Sequence, residues 1–344
     1  MANKKKKGKR IALTILAVVL ALVLTVMVGA TIYVESLLNR INRTDEMVQE
    51  TLTREEIQQV LDETDPPVED EEEYTGEVLE PEEVVLATAP AEVIEDEEHI
   101  INILLIGQDR RPGQGRQRSD SMILCTVNLE EKTLVMTSFL RDLYVKIPEW
   151  NGERYADNRL NVNYAIGGME MLDECLKMNF GVVVDNNIEV DFSGFEQIVD
   201  IMGGVSINLT SAEARRVGNL NAGMNHLNGE QALAYARIRK IDSDFGRTNR
   251  QRTVLLALLE KVKDMSLSEL NDLATSFMPL ITTDMSNGDI IQYVAKLFPI
   301  LTELEVTTQH IPAEDTYKGA MIRGMSVLVP DMEANIQILR DTIG

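Results

Sequence analysis

The chain has 344 residues, of which 44% are hydrophobic and 26% are charged, enough apolar side chain to bury the core of one large domain or two small ones. Its formal net charge is -23, but residues 35–99 carry 23 acidic and 3 basic side chains, whereas residues 100–344 carry 33 acidic and 24 basic ones. Neither part offers the basic face that a nucleic-acid partner requires. These figures exclude a fibrous protein and argue against nucleic-acid binding.

The N-terminus has the pattern of a membrane anchor. Residues 1–10 form a basic cytoplasmic tail, and residues 11–34 are uncharged, a run longer than the ~20 residues that a helix needs to cross hydrocarbon. The basic flank predicts that the N-terminus stays in the cytoplasm and that the remainder is exported. A signal peptide cleaved near residues 28–30 is the alternative, but the run exceeds the roughly 7–15 residues of a signal-peptide core.

Residues 35–99 are predicted to form an extracytoplasmic acidic stalk or linker. Thr53 and Glu56 stand at capping-box spacing, and Ile57, Val60 and Leu61 follow at helical spacing, which predicts a short helix. The stretch from residue 62 to residue 98 is rich in Pro and Glu and poor in apolar side chains. Such a composition does not offset the entropy cost of ordering. We therefore expect a solvated linker that holds the domain away from the bilayer.

The folded domain is predicted to span residues 100–344. Buried-strand patterns cover residues 100–106, 122–127, 134–139, 143–147, 188–192, 205–209 and 306–311. Helical patterns cover residues 162–178, 195–202, 229–237, 247–264, 287–298 and 332–342. The alternation of strands and helices predicts an α/β protein with a central mixed β-sheet between two helical layers, an α/β/α three-layer sandwich.

Arginines and aspartates are concentrated where predicted strands end. The common P-loop, nucleophile-elbow, zinc-protease and dinucleotide motifs are absent from the sequence, so the usual hydrolase and nucleotide-binding chemistries lose support. The charged groups occupy residues 107–120, residues 141–142 and residues 235–252. Strand ends are where open α/β sheets gather ligands, so these segments predict one site.

The start of the helix predicted from residue 247 has an unusual charge pattern. Arg247, Arg250 and Arg252 crowd its first turns, where the helix dipole normally favours acids. A bound diphosphate would offset that cost, because guanidinium groups and helix N-termini both hold phosphate. Arg247 and Gln251 are four residues apart and share one helix face. The acids Asp109, Asp120 and Asp244 fit ligands of a hard cation.

Seven motifs in order resemble the LytR-CpsA-Psr family. They run from about residue 102 to about residue 261 and comprise Gly107-x-Asp109, Arg118-Ser119-Asp120, Arg141-Asp142, Asp191-Phe192-x-Gly194-Phe195, Val199-Asp200-x-x-Gly203-Gly204-Val205, Leu227-Asn228-Gly229-x-x-Ala232-Leu233-x-Tyr235-Ala236-Arg237-x-Arg239 and Asp244-x-Gly246-Arg247-x-x-Arg250-Gln251. The chain departs from the family pattern at Leu140, where the family often has Pro, and at Asn163, where it has a small residue.

The resemblance implies a cell-envelope enzyme. Such an enzyme transfers a phosphate-linked glycopolymer, such as teichoic acid or capsule, from an undecaprenyl-pyrophosphate carrier to peptidoglycan and releases undecaprenyl phosphate. It also implies Mg2+ (or Mn2+) at Asp109 and Asp120 and a membrane location. By the same resemblance the pyrophosphate contacts are Arg118, Arg141, Arg237, Arg239, Arg247 and Gln251, and the catalytic residues are Arg141, Arg237, Arg239 and Asp244.

Alternatives remain open from the residues themselves. The same charged cluster would serve a polyprenyl-pyrophosphate phosphatase or a non-catalytic lipid-glycan binding module, and a membrane-bound transcriptional attenuator is a third possibility. Met169, Met171, Met178 and Met202 could line a groove for an isoprenoid chain or simply fill the core. Cys125 and Cys175 are interpreted as buried free thiols, although an exported domain would permit a disulfide.

Overall fold

The computed structural model describes residues 32–44, 52–62, 77–86, 91–94, 98–110, 115–218, 220–239, 241–242 and 244–343. The predicted basic tail and residues 11–31 of the predicted membrane helix lie outside these ranges. Residues 32–38 are helical. Within the described ranges, no helix is both long enough and apolar enough to cross a bilayer.

The regular elements follow in chain order. The strands are β1 (Asn42–Arg43), β2 (Glu77–Val78), β3 (Ile100–Gln108), β4 (Ser119–Asn128), β5 (Thr133–Phe139), β6 (Tyr144–Val145), β7 (Asn158–Arg159), β8 (Asn186–Asp191), β9 (Val205–Leu209), β10 (Gly223–Leu227), β11 (Thr282–Thr283), β12 (Glu305–Ile311), β13 (Tyr317–Ile322) and β14 (Met325–Pro330). The α-helices are α1 (Arg54–Asp62), α2 (Val162–Phe180), α3 (Phe192–Ile201), α4 (Ser211–Gly218), α5 (Gly229–Ala236), α6 (Asp244–Lys263), α7 (Leu267–Phe277), α8 (Asn287–Leu297) and α9 (Met332–Ile343).

A mixed sheet of seven strands forms the centre, in the order β1-β11-β8-β3-β4-β5-β12. Strand β3 pairs parallel with β8 and antiparallel with β4, and β5 pairs parallel with β12. Alternate side chains of a strand point to opposite faces, so β3, β4 and β5 each contribute side chains to two hydrophobic layers. The predicted α/β class with a central mixed sheet is confirmed.

Helices cover both faces of the central sheet. On one face, Leu104 and Leu124 pack in a single core with Ile57 of α1, Leu172 of α2 and Leu339 of α9. On the other face, the buried core comprises Ile101, Ile123, Val127, Leu134, Met136 and Leu304, against which side chains of α6 and α8 pack. Helices α3 to α6 and the β9-β10 hairpin enclose a third core. This third core, called the satellite core below, lies on the same side of the sheet as α6 and forms a wall of the cavity described below.

The segment predicted to be a solvated stalk is partly built into the domain. The predicted capping box is present, since Thr53 and Glu56 exchange hydrogen bonds through their side chains, and Ile57 and Leu61 of α1 are buried in the core. Strand β1 joins the edge of the central sheet by pairing parallel with β11. The prediction missed this because two-residue strands leave no periodicity. The folded unit therefore begins before residue 100.

Other differences are local. Residues 143–147 contain only the short β6, which pairs with β7 outside the central sheet, and β9 pairs with β10 instead of joining that sheet. Helices α4 and α7 and the β13-β14 hairpin were not predicted, because their short amphipathic patterns resemble loops. Cys125 and Cys175 are free, as interpreted from the sequence. They belong to opposite faces of the sheet, which prevents a disulfide between them.

Candidate active site

A cavity of about 810 Å³ lies between the central sheet and helices α3, α5 and α6. Apolar side chains make up most of its wall: Leu105, Ile106, Ile123, Ile188, Val190, Phe192, Phe195, Leu233, Ala234, Ala236, Ile238 and Leu255. These residues come from β3, β4, β8 and the three helices, except Ile238, which lies between α5 and α6. A space of this size and lining suits an extended apolar ligand.

Charged and polar side chains cluster at the ends of the strands. They are Asp109, Asp120, Arg237, Arg239, Arg247 and Gln251, all of which line the cavity. Asp109 follows the last residue of β3, and Asp120 is the second residue of the antiparallel neighbour β4. A register shift at residues 107–108 bends the end of this strand pair. Both carboxylates thus reach one rim of the cavity.

The carboxylates at this rim are held by arginines. Arg237 Nη2 lies 3.3 Å from Asp109 Oδ2, and Arg141 Nη1 donates to Asp120 Oδ1 over 3.1 Å. Arg239 Nη2 is 3.7 Å from the same oxygen of Asp120. Arg237 ends helix α5, where its backbone N–H bonds to Leu233, so its side chain leaves the helix end toward the cavity.

A second charged layer lies behind this rim. Arg141 Nε is 3.2 Å from Asp142 Oδ2 and 4.0 Å from Asp244 Oδ2. Arg159 Nη1 is 3.5 Å from Asp142 Oδ1, and its side chain is almost fully buried. Arg247 Nη1 is 3.1 Å from Asp244 Oδ1. Two carboxyls and three guanidiniums are therefore clustered together, with Arg159 and Arg247 buried and Asp244 the most exposed of the five.

The two carboxyls of this layer differ in acidity. Burial raises the pKa of Asp142 to about 6, and the hydrogen bond with Asp244 acts in the same direction against the attraction of Arg141 and Arg159. Burial also acts to raise the pKa of Asp244, but Arg247, the hydrogen bond with Asp142, and Arg141 hold it below its usual value. As the pH falls, Asp142 therefore takes up a proton before Asp244 does.

Arg247 and Gln251 present unsatisfied polar atoms to the cavity. Arg247 is 3% exposed, and its Nε and Nη1 atoms have no hydrogen-bond partner of acceptable geometry in the described residues. Burial lowers the pKa of Arg247, and the neighbouring Arg141 and Arg239 add to this effect against Asp244. The Oε1 atom of Gln251 is likewise buried without a partner. A buried cation with free donors fits an anionic ligand.

Not every predicted residue lines the cavity. Arg141 and Asp244 stand one contact behind it, through Asp120 and Arg247. Arg118 is not among the lining residues of the described chain and donates its Nη2 to the carbonyl of Val60 in α1. Arg159 was not predicted as a site residue, because it lies outside all three charged segments of the sequence.

The crowding of arginines at the start of α6 has another cause than the one expected. Arg250 forms two hydrogen bonds with Asp242, of 2.7 and 2.8 Å, and lies 3.6 Å from Glu213. Arg252 donates to Ser138. The helix also begins at Asp244, three residues earlier than predicted. Only Arg247 of the three arginines therefore faces the cavity.

Three of the four methionines that could line a groove or fill the core are found in the core, whereas Met178 of α2 is partly buried and does not line the cavity. Met169 and Met171 are buried on the face of the sheet opposite the cavity, and Met202 belongs to the satellite core. Branched aliphatic and aromatic side chains from strands and helices form the cavity wall in their place.

A metal ion at this site would need oxygen atoms from water or a bound substrate in addition to the protein's carboxylates. No group of three or more His, Cys, Asp or Glu suited to a metal occurs in the described part of the chain. Asp109 and Asp120 line the same cavity, and Mg2+ commonly takes one or two carboxylates and completes its shell with water and substrate phosphates. The two acids fit that mode of binding.

The fold and cavity define an α/β protein with a mostly apolar cavity that ends in a cluster of arginines and aspartates. The sequence profile of the LytR_cpsA_psr family matches residues 56–342. The chain belongs to this family, as its motifs predicted.

Similar proteins include both enzymes and proteins named as regulators. Regulatory protein MsrR of Staphylococcus aureus (strain COL) is 32% identical over 247 residues, which cover 70% of this chain and 73% of MsrR. The polyisoprenyl-teichoic acid–peptidoglycan teichoic acid transferase TagU of Bacillus mycoides (strain KBAB4) is 35% identical over 193 residues, 55% of this chain and 62% of TagU. A structure of TagT bound to LI-WTA superposes with a TM-score of 0.59 at 27% identity, over 76% of this chain and 97% of TagT.

Proposed function

We propose that this protein transfers a phosphate-linked glycopolymer, such as a teichoic acid or a capsular polymer, from an undecaprenyl-pyrophosphate carrier to peptidoglycan. The observation that carries the proposal is the cavity, whose walls are apolar and whose end is a cluster of arginines and aspartates. An isoprenoid chain suits such walls, and a diphosphate suits guanidinium groups. TagU is named as a teichoic acid transferase, and TagT binds LI-WTA in its structure, which supports the same donor class.

The residues suit phosphoryl transfer without a covalent enzyme intermediate. Such a transfer depends mainly on positioning and on neutralising charge that spreads over the phosphate oxygens. Arg237 and Arg239 stand at the solvent side of the site, with side chains 52% and 48% exposed, whereas Arg247 is buried beneath them. In this proposal Arg247 and Gln251 hold the diphosphate from below, and Arg237 and Arg239 close over it from the side on which a glycan acceptor arrives.

Mg2+ or Mn2+ is proposed to bind at Asp109 and Asp120. When bound, the ion would neutralise charge on the diphosphate oxygens. Arg237 and Arg239 contact the same two carboxylates, so they keep Asp109 and Asp120 oriented toward the cavity. The arginine contacts also offset repulsion between the two acids.

A membrane anchor with the folded domain outside the cytoplasm is proposed on the sequence pattern. One structural feature adds to it: β1, only eight residues beyond residue 34, pairs with β11 of the central sheet. Asn42 also donates to the carbonyls of Pro279 and Ile281. A short, ordered connection between membrane and domain would keep the cavity within reach of a carrier lipid in the bilayer.

The test uses the full chain in lipid nanodiscs with a synthetic undecaprenyl-diphosphate glycan and a peptidoglycan acceptor. We expect acceptor-linked glycan phosphate and undecaprenyl phosphate in equal amounts. Release of undecaprenyl phosphate at the same rate without acceptor would identify a phosphatase instead. Binding without any turnover, retained in Arg237→Ala, would identify a lipid-glycan binding module.

A regulatory role is the second candidate, because MsrR is named as a regulatory protein. Regulation by DNA binding conflicts with the acidic balance of residues 100–344, which carry 33 acidic and 24 basic side chains. A C-terminal reporter fusion tests it directly: activity of a cytoplasmic reporter would favour the attenuator, and activity of an exported reporter would exclude it.

A further inference from the structure

The contact between Asp142 and Asp244 joins two segments that are distant in sequence. Asp142 lies just after β5 and Asp244 begins α6, and the same atom, Arg141 Nε, lies 3.2 Å from Oδ2 of Asp142 and 4.0 Å from Oδ2 of Asp244. Besides burial, the negative charge of Asp244 helps to raise the pKa of Asp142, so a proton on one of the two carboxyls relieves their repulsion. The side chains are 15% and 31% exposed, so the more accessible end of the pair is Asp244.

Three arginines surround the pair from separate elements. Arg141 adjoins Asp142 and lies between the two carboxyls, Arg159 approaches Asp142 from β7, and Arg247 approaches Asp244 from α6. Arg239 adds a further positive charge near Asp244. The arginines compensate for the negative charge of the pair when it is ionised, so it is able to lose and regain one proton without leaving an unpaired buried charge.

We propose that Asp142 and Asp244 act together as the proton acceptor of the transfer reaction. Asp244, which is partly exposed beside the cavity-lining Arg247, receives the proton of the acceptor hydroxyl at the edge of the cavity, and Asp142 acts through it. Asp142 is in this proposal a positioning residue. The inference rests on the proposed function. The group that gives up its proton is a sugar hydroxyl of the acceptor.

The proposed step forms one bond to phosphorus, breaks another and moves one proton. The hydroxyl oxygen forms a bond to the phosphorus that carries the glycan, and the bond from that phosphorus to the bridging oxygen of the diphosphate breaks. The leaving group departs as the polyprenyl monophosphate with the electron pair of the broken bond. The hydroxyl proton passes to the carboxyl pair and then to water.

A pair of this kind suits a general base better than Asp244 alone. A base is most effective when its pKa lies near the working pH. Arg247, the interaction with Asp142, and Arg141 hold the pKa of Asp244 below its usual value, which makes the Asp244 carboxylate by itself a weak base. Burial raises the pKa of Asp142 to about 6, so a proton shared with Asp142 is bound more strongly.

The test is the pH profile of kcat/KM for wild type and Asp142→Asn in the nanodisc transfer assay. Wild type should show an acid limb near pH 6, because activity requires the pair to lose its proton. Asp142→Asn keeps a hydrogen bond to Asp244 but cannot share the proton. We expect its acid limb to move below pH 4 and its plateau to fall by about 10²-fold, the usual worth of general-base catalysis. Asp173→Asn, a buried carboxyl remote from the cavity, is the matched control and should keep the wild-type limb.

A second measurement does not depend on activity. Because folding raises the pKa of Asp142 to about 6 from 3.8, this group stabilises the fold below pH 3.8 and the stabilisation disappears as the pH rises through 6. The free energy of unfolding of wild type minus that of Asp142→Asn should therefore fall between pH 4 and pH 6. The pair is not the proton acceptor if the acid limb of Asp142→Asn stays at the wild-type pH. The same holds if the difference in the free energy of unfolding does not change between pH 4 and pH 6. A wild-type chain that transfers nothing overturns the proposed function itself, and with it the catalytic use of the pair.

Discussion

The guanidinium carbon of Arg237 lies 4.4 Å from the centre of the Phe192 ring. Phe192 is the first residue of α3 and Arg237 directly follows α5, so the contact ties two walls of the cavity together at its charged end. The planar guanidinium stacks on the ring while its Nη2 reaches Asp109. The orientation of this arginine is therefore fixed before any ligand binds.

This geometry predicts that Arg237→Lys is strongly impaired although it keeps the charge. A lysine loses both the planar stacking on Phe192 and the forked pair of donors. Loss of one such contact to developing charge costs about 2.7–4 kcal/mol, on the order of 10²- to 10³-fold in kcat. Arg154→Lys is the control, because Arg154 is 90% exposed and pairs only with Glu149 in the described chain. A wild-type rate for Arg237→Lys in the transfer assay would show that fork geometry is unimportant.

A second prediction concerns the apolar wall. Leu255 lines the cavity from α6, and Leu255→Phe should reduce the space for the isoprenoid chain. We expect about a tenfold rise in KM for a donor with a long polyprenyl chain, in line with ~1–3 kcal/mol for overpacking, and a smaller effect for a short-chain donor. Ile291→Phe, at an exposed position of α8, is the control. Equal effects on both donors would mean that the chain lies elsewhere.

The sequence was sufficient to predict the central strands and most long helices. Residues 100–106 and 134–139 are nearly continuous apolar runs, which only buried strands explain well at that length. Strands β1 and β11, of two residues each, could not be predicted, because a strand so short is specified by its partners and not by its own pattern. The same holds for Arg118, whose contact with Val60 depends on α1 packing against the domain.

The sequence predicted most of the charged residues that belong to the candidate site. It did not predict which of them line the cavity and which lie behind it. Charge density at strand ends pointed to Asp109, Asp120, Arg237 and Arg247. The local charge pattern did not distinguish Arg247, which faces the cavity, from Arg250, which is engaged with Asp242 and Glu213; only the family resemblance gave the contact to Arg247. Their environments depend on the approach of α4 and the loop before α6, elements far from the arginines' own local pattern.

A third prediction is that Asp120→Asn weakens metal binding as well as activity. Asp120 also contacts Arg141 and Arg239, so loss of turnover alone would be ambiguous. Binding of Mn2+ in the presence of a soluble diphosphate, followed by electron paramagnetic resonance, gives the separate readout, and we expect at least a tenfold weaker Kd. Asp272→Asn on the exposed side of α7 serves as control. Full activity of wild type in EDTA would refute a metal requirement.

A fourth prediction concerns topology. Protease added to intact protoplasts should digest the folded domain, because the basic tail predicts a cytoplasmic N-terminus. A cytoplasmic marker protein must survive the same treatment, and detergent lysis must expose it. Complete protection of the domain would contradict the proposed orientation.

The last prediction concerns stability at alkaline pH and arises from a carboxyl remote from the cavity. Burial raises the pKa of Asp173 in α2 to about 8, opposed by the hydrogen bond from Asn187 and supported by Asp284 and Glu170. Asn187 donates to Asp173 Oδ2 over 2.7 Å, while Asp173 Oδ1 is buried without a hydrogen-bond partner in the described residues. A proton on the carboxyl avoids an uncompensated buried charge at this position.

The linkage between proton binding and folding determines whether Asp173 stabilises the protein at low or at high pH. The folded pKa lies above the unfolded value of 3.8, so the contribution of Asp173 to stability is complete below pH 3.8 and is lost as the pH rises through about 8. The slope is at most about 1.4 kcal/mol per pH unit for one proton. Asp173→Asn mimics the protonated form, so it should resemble wild type near pH 5 and be more stable than wild type at pH 8.5. Urea unfolding between pH 6.5 and pH 8.5 measures the difference, in which the contribution of Asp142 cancels because both chains contain it, with Asp272→Asn as the exposed control. Parallel curves for wild type and Asp173→Asn across this window would show that Asp173 is already ionised in the folded protein.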